Sequence, residues 1–281
     1  KRRAALLDRL SGQTRKHGIM FRITAFLLCA LALLGSCANE RQDDRTADLR
    51  GKSVLVFTGH GDGYVHENIA ASARMLQEMA AENGFAADTT SNTAVFCDDS
   101  LSKYDAIVYA NASYVEPLLD TAQRGAFERF VRRGGGFVGL HAAACTGRGW
   151  EWFTQMIGGR FDFHPPLQRL TLKVVDQSHP STAQLPDTLQ TEDELYVFKR
   201  LNPEARILAI WETAGVDWAG REPEALTPSI PAVWCNQFDG GRSWYTALGH
   251  DSQNYDDPQY RAQVLGALRW VAAGPAPEKQ P

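Results

Sequence analysis

Three histidines follow apolar segments of the sequence that are typical of buried parallel strands. His60 comes shortly after the segment that ends at Thr58, His141 ends the segment FVGLH, and His250 comes shortly after the segment that ends at Leu248. Ligands of open α/β sheets bind outside the carboxyl ends of the strands, so these imidazoles are expected to share one site. An imidazole there can act as a general base, a hydrogen-bond donor or a metal ligand. We therefore predict catalytic roles for all three.

A metal centre is one of two hypotheses for this site. Imidazole nitrogens and nearby carboxylate oxygens suit zinc or a similar divalent ion, with His60, His141 and His250 as candidate ligands. The sequence has no closely spaced motif such as H-E-x-x-H. The alternative is acid–base chemistry without a metal, and the sequence leaves both open. No nucleotide cofactor is expected.

The segment from Gly139 to Ala143 is similar to a nucleophile elbow, in which small residues let one side chain stand exposed on a tight turn between strand and helix. His141 occupies the position at which such an elbow carries Ser or Cys. Cys145 falls within the helix that is predicted after the turn. The sequence therefore predicts no covalent amidotransferase chemistry through an elbow cysteine.

The elements that must position these residues alternate between strand and helix in the first half of the chain. Continuous apolar runs, as in strands buried on both faces of a parallel sheet, are found at 53–58, 106–110 and 137–141. Helical spacing of apolar residues predicts helices over 66–83 and 121–133. Gly84 is expected to end the first helix, and Asp120 and Gln123 to form a capping box at the start of the second.

The second half of the chain is predicted to consist mainly of strands, followed by a closing helix over 259–273. The predicted strands are 169–175, 194–199, 206–211, 232–238 and 243–248. We find no internal repeat. The pattern predicts one α/β domain with a doubly wound, mostly parallel sheet and additional strands in the second half.

Charge is unevenly distributed along the chain, which carries 29 basic and 33 acidic residues. Residues 1–37 hold 7 basic residues and 1 acidic residue, which leaves 22 basic and 32 acidic residues for the rest. Binding to nucleic-acid phosphates requires a basic face, so this acidic excess argues against such binding. We therefore expect no nucleic-acid partner.

The amino-terminal region has the pattern of a bacterial lipoprotein signal. Residues 20–37 join a basic start at Arg22 to an apolar run that is too short to span a membrane and that ends in Leu-Gly-Ser-Cys37. The expectation is an exported protein, lipidated at Cys37 and anchored to a bacterial membrane, with an ordinary secretory signal as the alternative. We interpret the remaining segments as an upstream leader (1–19), a flexible tether (38–50), the folded domain (51–274) and a tail (275–281).

Several longer motifs in the folded domain carry a resemblance to a known family. They are Gly134 to Ala143, Gly158 to Phe161 with His164-Pro165, His179-Pro180, Asp193 to Tyr196, and Tyr245 to Asp251. On these motifs, the segment from Ser53 to Gly274 resembles the ThuA-like family, named for trehalose utilisation. The resemblance implies a flavodoxin-like fold of the class I glutamine amidotransferase type. It also implies a role in sugar metabolism, in particular the processing of 3-keto-disaccharides made by a partner sugar dehydrogenase.

A sugar substrate of this kind requires fixed polar groups for its hydroxyls and an aromatic or apolar wall. The residues that we predict to bind it are His66, His164, Tyr196, Asp251 and Trp150. A homodimer is left open.

A 3-keto sugar has acidic protons beside its carbonyl, which favours proton abstraction as the reaction. We expect His141 or Glu194 to take the proton, and another histidine or a metal to stabilise the enolate, leading to elimination, hydration or isomerisation. The predicted catalytic set is His141, Glu194, His250 and His60. The alternatives are a noncatalytic sugar-binding lipoprotein and a metal-dependent hydrolase.

Overall fold

The computed structural model of the protein describes residues 46–223 and 229–276, which form a mixed α/β domain. Its strands are β1 (Ser53–Phe57), β2 (Ala86–Thr90), β3 (Ala106–Ala110), β4 (Gly136–Leu140), β5 (Arg160–Phe163), β6 (Gln168–Val174), β7 (Thr188–Asp193), β8 (Val197–Lys199), β9 (Arg206–Glu212), β10 (Ser229–Phe238) and β11 (Gly241–Thr246). Its α-helices are α1 (Ile69–Asn83), α2 (Asp98–Leu101), α3 (Thr121–Arg132), α4 (Glu151–Ile157) and α5 (Pro258–Val271).

Nine of the strands form one sheet, in the order β2-β1-β3-β4-β11-β10-β9-β6-β7. The neighbours from β2 to β11 are parallel, whereas those from β11 to β7 are antiparallel. A separate antiparallel pair is formed by β5 and β8. The predicted fold class is confirmed, because a doubly wound parallel core is extended by additional strands from the second half of the chain.

The central strands are covered by helices on both faces, which explains their continuous apolar sequences. In β1, Val54 and Val56 belong to one core cluster together with buried residues of α1 and α5. Leu55 and Phe57 belong to a second cluster with buried residues of α3 and α4. Successive side chains of a strand point to opposite faces, so a strand covered on both sides needs an apolar residue at every position. The carboxyl ends of these strands then lie together at one edge.

The helix boundaries follow the predicted signals at two points and differ at a third. The Asp120 side chain accepts the N–H of Gln123, and the Gln123 side chain accepts the N–H of Asp120, which completes the capping box of α3. Gly84 ends α1 in the left-handed conformation, with φ of 74°. However, α1 begins at Ile69 rather than at the predicted residue 66. His66 therefore lies in the loop that precedes the helix.

Three strands, β2, β5 and β7, are not predicted by the apolar pattern. Two of them, β2 and β7, lie at the edges of the large sheet and have mostly exposed or half-exposed side chains. Such strands bury little apolar surface, so their sequences lack the expected alternation. In addition, the strand predicted over 194–199 begins only at Val197. Glu194 therefore lies in the loop between β7 and β8.

The folded part of the chain begins before the predicted boundary at Gly51. Leu49 is buried in the core, and the N–H of Ala47 donates to the carbonyl oxygen of Arg269 at 2.8 Å. The predicted tether over 38–50 is thus corrected at its last residues, because an apolar side chain there packs against the domain. The rest of the tether, residues 1–37 and most of the tail lie outside the described residues. In the described part of the chain, none of the helices has the length and apolar character needed to cross a membrane.

Gly266 in α5 should not tolerate alanine, although alanine generally favours helices. A Cβ atom at this position would lie 2.3 Å from the carbonyl oxygen of Pro180, and backbone atoms cannot easily move aside. At Gly125 in α3, a Cβ atom would meet only the flexible side chain of Arg129. We expect Gly266→Ala to lower the free energy of unfolding by about 1–3 kcal/mol.

The matched substitution Gly125→Ala should raise the free energy of unfolding by up to about 1 kcal/mol. Urea unfolding followed by circular dichroism measures both. Equal effects of the two substitutions would show that the contact between α5 and Pro180 is not close-packed.

Candidate metal centre

Four side chains converge at the carboxyl edge of the parallel strands: His66, His141, Glu194 and His250. One ligand-type nitrogen or oxygen atom from each lies within 4.8 Å of those from the other three. His141 follows β4 and His250 follows β11, and these two strands are neighbours in the sheet. His66 comes from the loop after β1, and Glu194 from the loop after β7. We refer to these four residues as the His/Glu cluster.

His141 stands on a strained turn between β4 and the short helical segment that follows. Its φ of 40° lies in the left-handed region, which residues with a side chain rarely adopt. Its Nδ1 lies 2.7 Å from the carbonyl oxygen of Ala247. A carbonyl can only accept, so Nδ1 carries the proton and the lone pair is on Nε2. Metal-ligating histidines commonly have this arrangement, with the second ring nitrogen bonded to a backbone carbonyl.

Glu194 lies beside two of the imidazoles. Its Oε2 is 3.5 Å from Nε2 of His141 and 3.2 Å from Nδ1 of His250. Ligands placed about 2.1 Å from a tetrahedral ion are separated by about 3.4 Å, so both separations resemble those between ligands of one ion. Within the described residues, these two ring nitrogens have no polar partner other than the Glu194 carboxylate, and Nδ1 of His66 has no hydrogen-bond partner. A divalent cation would satisfy all three nitrogens.

The electrostatics of the cluster favour a charged Glu194 and a neutral His66. Burial opposes the charge on Glu194, but the imidazoles of His141 and His250 beside it lower its pKa below the usual range. The Glu194 carboxylate in turn raises the pKa of His250. Burial, together with the neighbouring imidazoles, lowers the pKa of His66 to about 3. The His66 ring is therefore neutral at neutral pH and has a lone pair to offer a metal.

Tyr196 packs against the cluster. Its ring centre lies 4.2 Å from that of His141, and its hydroxyl lies 3.4 Å from Nε2 of His66. Burial raises the pKa of Tyr196 well above its usual value, so the hydroxyl stays protonated. Its oxygen can accept the Nε2–H of His66, which places the lone pair of that neutral ring on Nδ1, where it is free for a ligand.

Asp193 holds the loop that carries His250. Its fully buried carboxylate accepts the N–H groups of Gly249 and His250 at 2.8 and 3.1 Å and the side-chain amide of Asn254 at 2.9 Å. The side-chain amide of Asn68 donates to the carbonyl oxygens of Gly249 and His250. Asp193 is thus a positioning residue, because it sets the backbone from which the His250 ring extends.

We expect Asp193→Asn to reduce the affinity for zinc about 10–100-fold. The amide keeps the volume of the carboxylate, but its NH2 group cannot accept the N–H groups of the loop, so the His250 ring shifts. Competition with a coloured chelator measures the affinity. Glu192→Gln, an exposed position on the same strand, is the control and should bind zinc normally. If Asp193→Asn is folded and binds zinc as tightly as the wild type, the positioning role is wrong.

His164 lies at the rim of the cluster. Its Nδ1 donates to the carbonyl oxygen of Pro165 at 2.8 Å and lies 3.5 Å from Oε1 of Glu194. Its side chain is 36% exposed, more than those of the cluster. The lone pair on Nε2 is therefore available to a bound molecule.

Three predicted site residues do not join the cluster. His60 is exposed, because the glycine-rich loop after β1 extends it into solvent, and His66 is the residue of this loop that belongs to the cluster. Asp251 is exposed and caps the short helical turn that follows it. Trp150 is buried in the aromatic core with residues of α3 and α4, so it does not form an exposed wall for a sugar.

Two roles in the site were not recognised from residue types. The apolar spacing places His66 inside a helix, and its predicted role is to bind substrate. For the pair Asp193-Glu194, the sequence leaves open a site role or a solvated entry to the strand, and it assigns Asp193 itself no function. The pair of carboxylates Asp193 and Glu194 beside an apolar strand was the available signal, since one acid can hold a loop while the other faces a ligand.

The described segment matches the family model for ThuA, trehalose utilisation, over residues 53–271. This match spans more than half of the chain and includes all four residues of the His/Glu cluster. The chain belongs to the ThuA family. The resemblance predicted from the motifs is confirmed, and the domain is related to trehalose utilisation. A comparison with curated protein sequences finds no match.

Solved structures of ThuA-like proteins share the fold. A ThuA-like protein from Bacteroides uniformis is 23% identical, with a TM-score of 0.62, over 80% of this chain and 93% of its own. Another from Parabacteroides merdae is 20% identical, with a TM-score of 0.64, over 83% of this chain and 94% of its own. A β-galactosidase from Bacillus circulans is 15% identical, with a TM-score of 0.51, over 81% of this chain and 31% of its own. At these identities the likeness shows the fold alone.

Proposed function

We propose that this ThuA-family domain is a metal-dependent enzyme that acts on oxidised glycosides, such as 3-keto-disaccharides, in the use of trehalose or related sugars. The convergence of three histidines and Glu194 carries the proposal, because three of the ring nitrogens have no hydrogen-bond partner among the described residues apart from the Glu194 carboxylate itself. Buried polar atoms without partners cost free energy. One divalent ion such as zinc would bind them together.

Elimination is the reaction that suits this substrate. A 3-keto-glycoside has an acidic proton on C2, beside the C3 carbonyl, and its leaving oxygen is on C1. Loss of the C2 proton and cleavage of the C1–O bond form a C1=C2 double bond, and the proton passes through the base to the leaving oxygen, which departs as an alcohol. A bound divalent ion would polarise the keto oxygen and stabilise the negative charge that develops on it.

His164 is the residue best placed to take the proton. The lowered pKa of Glu194 makes its carboxylate a weak base. His141 is fully buried, and its Nε2 is directed into the cluster. The His164 ring is half-exposed at the rim, with its lone pair on Nε2 because Nδ1 donates to Pro165. This replaces the predicted choice between His141 and Glu194 as the base.

The test combines metal loading with turnover. The purified chain is incubated with 3-keto-trehalose and with trehalose, with and without a chelator, and the products are followed by NMR. We expect conversion of the oxidised sugar only, loss of activity with the chelator and recovery with added zinc or manganese. His164→Gln should keep the metal but lower turnover about 10²–10⁴-fold.

Two results would contradict the proposal. One is the failure of the chain to bind any divalent ion. The other is binding of the sugars without conversion, which would favour a noncatalytic sugar-binding protein instead.

We also propose that the domain is exported and held at a bacterial membrane by a lipid on Cys37, near a sugar dehydrogenase that supplies its substrate. The signal-like sequence of residues 20–37 supports the anchor. The keto group supports the dehydrogenase, because it must arise by oxidation of a hydroxyl. Incorporation of labelled palmitate in a bacterial host, compared between the wild type and Cys37→Ala, tests the anchor.

A further inference from the structure

The chain enters the folded domain at the amino edge of the parallel strands, opposite the edge that carries the His/Glu cluster. The N–H of Ala47 donates to the carbonyl oxygen of Arg269 in the last turn of α5. That turn lies at the amino edge, because Val271 at the end of α5 packs against Gly136, the first residue of β4. A Cβ atom at Gly136 would lie 2.7 Å from the carbonyl oxygen of Val271. The connection to the amino-terminal region therefore leaves the domain on the side away from the cluster.

The connection between the cysteine of the signal-like sequence and the domain is short. Ala47 is the tenth residue after Cys37. Ten residues span at most about 35 Å even when fully extended. A folded domain of about 225 residues has a radius of gyration of about 17 Å and is therefore about 45 Å across. If the carboxyl edge faced a membrane, Ala47 would be on the far side of the domain, beyond the reach of a lipid on Cys37.

The amino edge carries more basic than acidic residues. It consists of the segments that enter β1, β3, β4 and β11, which are 46–52, 102–105, 133–135 and 239–240, and of the last turns of α1, α3 and α5. Its basic residues are Arg50, Lys52, Lys103, Arg129, Arg132, Arg133 and Arg269. Its acidic residues are Asp48, Glu82, Asp105 and Asp239. The edge therefore has a net positive charge, although the chain beyond residue 37 is acidic.

The carboxyl edge has the opposite charge. It consists of the segments that follow β1, β2, β3, β4 and β11, which are 58–68, 91–97, 111–120, 141–150 and 247–257. In these described segments Arg148 is the only Lys or Arg. Their acidic residues are Asp62, Glu67, Glu116, Asp120, Asp251, Asp256 and Asp257. A surface of anionic lipid therefore attracts the amino edge and repels the carboxyl edge.

We propose that the amino edge docks on an anionic lipid surface when Cys37 carries its lipid, so that the His/Glu cluster faces away from the bilayer. The tether length and the charge difference between the two edges lead to the same orientation. The inference rests on the proposed lipid anchor and adds the surface that the domain presents to the membrane. It follows that substrate reaches the cluster from the aqueous phase.

Acetylation of lysines in the full chain tests the orientation. The palmitate-labelled protein is placed in vesicles of phosphatidylcholine and phosphatidylglycerol, and the reaction of each lysine with a membrane-impermeant reagent is followed by mass spectrometry. Lys103 reports on the amino edge. The lysine introduced by Asp62→Lys reports on the carboxyl edge, because Asp62 is exposed in the loop after β1. Cys37→Ala with the same vesicles is the unanchored reference.

We expect anchoring to lower the acetylation rate of Lys103 at least about fivefold, the factor that corresponds to the attraction of one basic side chain to an anionic surface. The lysine introduced by Asp62→Lys should react equally fast in the anchored and the unanchored chain. Equal rates of change for the two lysines, or protection of the introduced lysine alone, would overturn the proposal.

Palmitate incorporation separates the failure of this inference from that of the proposed anchor. If Cys37 takes up no palmitate, the anchor and the orientation are both wrong. If Cys37 takes up palmitate and the two lysines are protected equally, the orientation alone is wrong. Turnover of 3-keto-trehalose in solution tests the enzymatic function independently of either result.

Discussion

His141→Ala is expected to lose the bound metal and to lower turnover of 3-keto-trehalose about 10³-fold or more, since Lewis-acid stabilisation by a metal is worth several kcal/mol. The Nδ1–H bond to Ala247 directs Nε2 of His141 into the cluster, 3.5 Å from Glu194. Alanine removes this ligand and leaves nothing to replace it. Metal content by mass spectrometry and product formation by NMR measure the two effects.

The loss of a buried ring also destabilises the fold, so the control must lose one as well. His179 is fully buried outside the cluster, where its Nδ1 lies 2.8 Å from Oγ of Ser181. His179→Ala should lower stability but keep the metal and the turnover of folded protein. His141→Gln, which retains most of the volume, should behave like His141→Ala. If a folded His141 variant keeps a full complement of metal, His141 is not a ligand.

Glu194→Gln should reduce the affinity for zinc at least about 100-fold. This is a larger effect than that of losing a residue which only holds a ligand in place, as Asp193 does. Glu194 is the only carboxylate of the His/Glu cluster, and its amide form leaves a divalent ion with neutral ligands alone. The side chain keeps its size and its position in the loop between β7 and β8. The experiment therefore isolates the effect of the negative charge.

Glu192→Gln removes one acidic group from the adjoining strand and serves as the control, because Glu192 is exposed. Zinc affinity and turnover are measured on both variants. If Glu194→Gln binds zinc normally and loses turnover, Glu194 is the base and not a ligand, and His164 does not take the proton. Normal turnover in Glu194→Gln would remove Glu194 from the mechanism.

The central strands were predictable because burial on both faces imposes a local rule. The prediction for β3 agrees with the structure from Ala106 to Ala110, and that for β4 is shifted by one residue. Edge strands such as β2 obey no such rule, since much of their surface is in water. Leu49 was predicted to lie in the tether although it is buried in the core. A single apolar residue in a polar segment gives no periodic signal, so its burial could not be predicted.

The sequence by itself determined the fold family and the position of His141 and His250 at strand ends. Both depend on local apolar runs and on motifs. Only the tertiary structure decided that His66, and not His60, joins them. Both residues lie in the segment between β1 and α1, and the direction of a side chain there depends on the packing around it. Tertiary structure likewise separated the adjacent acids, placing Asp193 under the His250 loop and Glu194 against the imidazoles. Contacts between residues far apart in the chain decide such roles, and no local pattern records them.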